Sequence, residues 1–234
     1  MMKKRVLLIL LTLAALLTCL GCGKESHDLL REIECGGRVY CVRGSNMRAK
    51  RIVVKENGEV VWSKRVKVDS SVGTRNGTYG FDVLDLNFDG FVDFMIADDV
   101  SGDCTSYKCW LWDAEQGDYV LSEALTGLCN VVTDVRLQAV FAFTHTYETE
   151  KAYADVPATS TTADCTTKYI WKDGVLTPSI RASITYFSET DLYLYSVAYF
   201  NEETKMFEED YVKEQWLTPE EYKSKDLSFL YYFK

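Results

Sequence analysis

Arg51–Lys67 reads RIVVKENGEVVWSKRVK, two β-branched runs hinged on Asn57-Gly58. Both central positions of a two-residue hairpin turn need positive φ, which Asn and Gly tolerate best, so this stretch specifies a hairpin locally. The same signal returns at Asp173-Gly174, between Thr166–Trp171 and Val175–Tyr186. Around these two anchors strand-like runs recur at short intervals. Tyr79–Leu84 and Phe91–Ala97 flank a polar loop, and Lys108–Asp113 and Asp118–Leu125 flank Gly117. Leu137–Tyr147 mostly alternates, and Leu192–Phe200 and Lys205–Val212 surround an Asn201–Thr204 turn. Strands at regular spacing without strand–helix–strand alternation predict an all-β fold of antiparallel sheets, propeller-like, sandwich or barrel. One short C-terminal helix is expected at Thr218-Pro219-Glu220-Glu221-Tyr222, with Thr as N-cap, Pro at the first helical position and acids in the first turn.

The composition supports a packed domain. Hydrophobic residues make up 47% of the 234 positions and charged residues 26%, which excludes global disorder. No Pro/Ser/Gly-rich stretch divides the chain. Nine of the fifteen tyrosines follow residue 168, and an aromatic-rich strand face of this kind reads as core or edge cover. The formal charge of −9 argues against general nucleic-acid affinity, which rests on clustered Lys and Arg.

The N-terminus reads as an address. Lys3, Lys4 and Arg5 precede an apolar run, Val6–Leu17, too short for the roughly 20 residues of a spanning helix but suited to an export signal. It ends in Cys19-Leu20-Gly21-Cys22, which resembles the lipobox of bacterial lipoproteins. In that family a small residue precedes the cysteine that receives the diacylglycerol, so Cys22 is the expected lipidation site and Gly21 the small residue. Cys19 stands where the pattern usually has Leu. The alternative is an ordinary cleaved signal peptide. The expected layout is a signal peptide over 1–21, a linker over 22–37 after the lipidated Cys22, and a single β-rich domain over 38–234.

Lipidation at Cys22 leaves Cys35, Cys41, Cys104, Cys109, Cys129 and Cys165, an even number suited to disulfides in an oxidising compartment. Sequence proximity suggests Cys35–Cys41 and Cys104–Cys109, leaving Cys129–Cys165; a partly reduced set is the alternative. No C-x2-C occurs among these six and the two histidines sit far away, so a zinc site is not expected.

The charge is unevenly spread. Without residues 1–21 the chain carries 23 basic against 35 acidic residues, a net −12. Yet residues 38–68 hold nine basic side chains, Arg38 to Lys67, against Glu56 and Glu59 alone. This is either a solvated basic hairpin or a face resting near anionic lipid heads close to the anchor.

The stretch that carries chemistry is Asp85-Leu86-Asn87-Phe88-Asp89-Gly90-Phe91-Val92-Asp93. Oxygen-bearing side chains fall at alternate positions, then a glycine, then a further carboxylate. Ca²⁺ is a hard cation taking six to eight oxygens, which such a loop supplies. Asp85, Asn87 and Asp89 would give side-chain ligands, Gly90 the sharp turn, Phe91 its backbone carbonyl, and Asp93 would close the shell directly or through water. Ile96 stands where an EF-hand places its Glu, so the loop is EF-hand-like but sits between strands. The bland alternatives are an acidic turn without an ion, or an ion that only rivets two strands. Asp98, Asp99 and Asp103 either join the shell or serve as loop solubility charges.

The stretch Phe81–Leu125 resembles the FG-GAP/VCBS type of calcium-binding β-repeat. It is closer still to a group of bacterial periplasmic lipoproteins with a single D-x-N-F-D-G-x-x-D loop. Tyr107, Trp110, Leu111, Trp112 and Asp113 match that group's following strand, Tyr119 its aromatic position, and Tyr169–Leu176 a later strand pair. The resemblance covers about residues 79–180. It implies a propeller-like all-β fold with bound Ca²⁺, and a role as an immunity protein that blocks a peptidoglycan-cleaving enzyme.

No nucleophile elbow, P-loop, dinucleotide fingerprint or zinc-protease helix occurs. His27 falls in the expected linker and His145 in an alternating strand, so neither reads as a general base. The expectation is a non-enzymatic, membrane-anchored, extracytoplasmic lipoprotein, periplasmic or at the cell surface, with one Ca²⁺. Its expected partners are the membrane, through the N-terminal lipid, and a protein such as a cell-wall hydrolase, not nucleic acid. The other reading is a cell-envelope adhesion or glycan-binding surface protein, and a third is a divergent hydrolase with an acidic pair.

Overall fold

The computed structural model describes residues 28–45, 48–68, 80–153, 156–210 and 214–224. The expected signal segment, Cys19, Cys22 and His27 therefore lie outside the described residues. Among the described residues, fifteen strands form three antiparallel sheets. The first is a meander of β1 (Asp28–Cys35), β2 (Arg38–Ser45), β3 (Arg48–Glu56) and β4 (Glu59–Arg65). The second is β5 (Asp82–Leu84), β6 (Asp93–Ser101), β7 (Cys104–Asp113) and β8 (Asp118–Leu121). The third runs in order from β9 (Val132–Asp134) through β10 (Ala139–Tyr153), β11 (Val156–Lys172), β12 (Val175–Phe187) and β13 (Leu192–Asn201). β14 (Met206–Glu209) and β15 (Gln215–Leu217) both pair with β13.

Local turn chemistry sets the hairpins. Asn57 and Gly58 sit at φ +50° and +82°, and Asp173 and Gly174 at +49° and +76°, the positive-φ pairs that their residue types favour. The expected C-terminal helix is α2 (Pro219–Ser224); α1 is the single turn Glu123–Thr126. Thr218 Oγ1 accepts from Glu221 N, and Glu221 Oε2 accepts from Thr218 N at 2.8 Å, a reciprocal cap.

Strand alternation makes the second sheet the middle layer of a sandwich. Phe94, Ile96, Trp110 and Tyr119 pack on Tyr40, Val42, Ile52 and Val54 of the first sheet. On the opposite face Met95 and Cys109 pack with Leu86, Leu125, Val131 and Val140 against the third sheet. Residues 93–97 of β6 are accordingly buried without alternation. Phe94 is the hub, with ring centroids of Tyr119, Trp110, Trp62, Phe81 and Tyr40 at 4.8 to 6.3 Å. A third cluster, Ala182, Ile184 and Val197, is covered by Tyr193, Tyr195 and Tyr222.

Three expectations are corrected. Residues 28–35, given to the linker, form β1, with Leu30, Ile33 and Cys35 packed on the core. A register shift between Leu29 and Arg31 breaks the alternation that would have marked the strand. The strand expected over 118–125 ends at Leu121, because Ser122 caps α1 and turns Leu125 into the core.

The disulfide is Cys104–Cys129, with Cα atoms 5.2 Å apart, while Cys35, Cys41, Cys109 and Cys165 are free thiols. Cys104 and Cys109 lie five residues apart on one extended strand, about 16 Å, beyond disulfide reach. Cys35 faces Arg38 and Cys41 faces Glu32 across the β1–β2 ladder, so those two never meet. Cys165 faces Thr144 and Ser183 within the third sheet. Burial pushes the Cys109 thiol up to about 12.

Candidate metal centre

The loop over 85–92 joins β5 to β6, the edge and second strands of the middle sheet. Its side-chain oxygens turn inward. Asp85 accepts from the Asp89 and Gly90 amides at 3.2 and 2.9 Å, and Asp89 accepts from the Phe91 amide at 2.8 Å. Asn87 Nδ2 donates to Asp89 Oδ2 at 2.8 Å. Gly90 stands at φ +88° with open space where a Cβ would be, so its role is backbone conformation and not clearance. Phe88 also takes a left-handed conformation, at φ +61°.

Asp93 closes the loop from beneath. It is fully buried, and its two oxygens accept from the Leu86 and Trp112 amides, each at 2.8 Å. Burial foremost, and the nearby charges of Asp89 and Asp85, push its carboxyl up to about 7 against the pull of those two amides.

Neighbouring elements clamp both ends of the loop. Trp171 Nε1 on β11 donates to the Leu86 carbonyl at 3.0 Å, and Tyr119 OH on β8 donates to the Val92 carbonyl at 3.1 Å. Tyr119 also meets Tyr40 OH at 3.0 Å. All three sheets thus hold the loop. Trp112 and Trp171 were legible only as matches to a strand pattern; the Trp112 amide meets Asp93 through the pairing of β6 with β7, and the Trp171 bond to Leu86 depends on how the second and third sheets stack.

Asp85, Asn87 and Asp89 are brought together around the amides of residues 89 to 91, the Phe91 N–H among them, while the Asp93 oxygens turn to the Leu86 and Trp112 amides. Among the described residues no three His, Cys, Asp or Glu side chains converge as a metal cluster, the loop oxygens being engaged by amides and by Asn87. The donor set is oxygen throughout, which fits a hard cation. Of the downstream acids, Asp98 binds Lys108 Nζ at 2.7 Å and Asp99 accepts from the Val100 amide.

A cavity of about 700 Å³ lies elsewhere, bounded by β7, β9, β10, β11 and α2. Asp103, Tyr107, Asn130, Thr133, Cys165 and Tyr222 are on its wall, together with His145, whose Nδ1 lies 2.5 Å from Asp164 Oδ1. Burial raises the Cys165 thiol, which disfavours the thiolate. Asn130 ties this region together: it exchanges bonds with Thr105 and donates to the Asp103 and Phe143 carbonyls, beside the disulfide. Its φ of +49° explains an Asn here, but nothing in the sequence pointed to the cavity.

No protein-family model matches the chain, and no curated protein does. Among solved structures it is similar to one described as the structure of a Xanthomonas type IV secretion system related protein. The identity is 12%, the TM-score 0.53, and the match covers 80% of this chain and 94% of that one. At such identity the likeness shows the fold alone.

Proposed function

We propose that this chain is a membrane-anchored, extracytoplasmic calcium-binding protein that works as a protein-binding module, an immunity protein or inhibitor for a peptidoglycan-cleaving enzyme. The observation that carries the calcium reading is the 85–93 loop. Three carboxylates and an amide oxygen crowd nine residues, and one carboxylate is buried where its charge is costly without a cation. Asp85, Asn87 and Asp89 would hold the ion, with the Phe91 carbonyl, and Asp93 would complete the shell directly or through water. A bound Ca²⁺ would offset two of the three loop carboxylate charges and tie the loop more tightly between β5 and β6. Binding would exchange the Asn87 Nδ2–Asp89 bond for oxygen ligation.

The anchor reading rests on the lipobox-like Cys19-Leu20-Gly21-Cys22. The inhibitor reading rests on the lipoprotein resemblance, and the net charge of −12 without residues 1–21 suits a basic lysozyme-type target. A structural neighbour described as related to a type IV secretion system is compatible with an envelope protein that meets a secreted enzyme. The second reading, a glycan-binding envelope protein, is favoured by the cavity, where Asp103 and Thr133 line the wall beside the Tyr107 and Tyr222 rings.

Thermal melting of the protein in Ca²⁺, Mg²⁺ and EDTA tests the loop. A ligand at a hundredfold excess over Kd stabilises by ~2.7 kcal/mol, so a calcium-selective rise in Tm is expected, reduced in Asp89→Asn. Identical melting in calcium and EDTA for both proteins would sink the calcium reading. For the inhibitor reading, a stoichiometric excess in calcium buffer should silence a lysozyme-type hydrolase; undiminished lysis together with binding to peptidoglycan fragments would favour the glycan reading. The anchor reading fails if Cys22→Ser partitions into detergent as the wild type does.

A further inference from the structure

The hairpin of β11 and β12 reaches from the third sheet onto the loop of the second. Asp173 and Gly174 form its turn, and two residues before the turn Trp171 faces Leu176 across the ladder. Tyr169, Trp171 and Leu176 pack with Leu84 and Leu86 in one apolar cluster, so the indole lies between the layers. Its Nε1 donates to the Leu86 carbonyl at 3.0 Å, joining residues 85 positions apart in the chain. Tryptophan suits the place because it brings a large apolar body and a donor together.

Leu86 stands between Asp85 and Asn87, two of the side chains that offer oxygen to an ion. Its backbone is held on both sides. The Leu86 amide donates to Asp93 Oδ2 at 2.8 Å, and the Leu86 carbonyl accepts from Trp171. These groups belong to successive peptide planes, one shared with Asp85 and the next with Asn87. Peptide planes are rigid, so fixing both sets the directions in which the Asp85 and Asn87 side chains leave the backbone. The first bond forms within the loop's own segment, whereas the second comes from another sheet.

A loop that gathers carboxylates for an ion must overcome their mutual repulsion and the entropy of ordering its backbone. Holding a peptide plane from outside lowers that ordering cost before the ion arrives, and groups beyond the ligands change metal affinity in this way. Leu86 is fully buried. Without the indole donor its carbonyl would become an unsatisfied buried acceptor, and the loop would shift to relieve it.

We propose that Trp171 is a positioning residue for the calcium loop: from the third sheet it holds the peptide plane between Leu86 and Asn87 and so raises the affinity of the loop for Ca²⁺. The inference rests on the calcium reading of Asp85–Asp93. Coupling of this kind is reciprocal. An ion in the loop strengthens the Trp171–Leu86 bond by the same factor by which that bond strengthens ion binding.

Calorimetric titration of the whole protein with Ca²⁺, after stripping with EDTA, gives the affinity, and melting in EDTA gives the stability without an ion. Trp171→Phe keeps an aromatic ring in the cluster and removes the donor; it should weaken calcium binding on the order of tenfold. Leu176→Ala opens the same cluster without removing the donor to Leu86; it should melt earlier in EDTA yet keep the wild-type calcium affinity. The wild type gives a reading that needs no variant. Hydrogen exchange at the Trp171 indole, followed by NMR, should slow on the order of tenfold when calcium replaces EDTA. Equal calcium affinities of wild type and Trp171→Phe overturn the proposal. So does equal weakening in both variants, which would mark a general packing effect, and so does indole exchange indifferent to calcium. A wild type that binds no calcium overturns the calcium reading and this inference with it, so the two failures are distinguishable.

Discussion

Asp93 shows how one buried residue sets the stability of the loop. Its two oxygens organise the backbone on either side, and its burial makes the charge expensive. A carboxyl at about 7 in the folded protein, against about 3.9 unfolded, binds more protons folded than unfolded across that interval. Stability from this group is therefore fully present below pH 4 and is lost as pH rises through 7. In EDTA, unfolding curves over pH 4 to 8 should show this falling contribution, on the order of 4 kcal/mol at one pKa unit per 1.36 kcal/mol. Asp93→Asn should remove the slope while costing stability throughout, since an amide nitrogen cannot accept from Trp112 or Leu86. A wild-type slope equal to that of Asp93→Asn would show that the carboxyl stays ionised. At this scale the sequence was informative about type and spacing: alternating oxygens, Gly90 and the following Asp were all legible. Which oxygens engage amides was not, because that depends on how the loop folds back to bring Leu86 to Asp93 and on the neighbouring strand that brings Trp112.

At the scale of elements, the first and second sheets are joined by aromatic packing around Phe94. Phe94→Ala removes a buried ring that touches five others, so a loss of about 3–5 kcal/mol is expected in denaturant unfolding. A loss below about 1 kcal/mol would mean that the neighbouring rings collapse into the space. Hairpins with Asn-Gly and Asp-Gly turns, and the Thr218–Glu221 cap, were readable because their determinants lie within a few residues. β1 was missed since a bulge disturbs its alternation, and α1 since a single turn leaves no period to detect.

Across the whole molecule, the Cys104–Cys129 bond links the middle sheet to the segment entering the third. Its sequence separation of 25 predicts about 3.5 kcal/mol of stabilisation from loop closure in the unfolded chain. The Cys104→Ser/Cys129→Ser double variant should lose that amount relative to the oxidised protein, and reductant should lower the wild-type Tm to match it. A reductant-insensitive Tm would show that the sheets hold together without the bond.

The sequence by itself determined the all-β class, the antiparallel hairpins, the C-terminal helix and the oxygen-rich loop, because each is written in neighbouring residues through φ preference, alternation, capping and ligand spacing. Tertiary structure decided the rest. Stacking of the sheets made β6 a doubly buried strand and put Trp171 on the loop, and pairing of β7 with β6 brought the Trp112 amide to Asp93. The meeting of β7 with residue 129 chose the disulfide. Each of these depends on distances between residues far apart in the chain, which only the folded packing fixes.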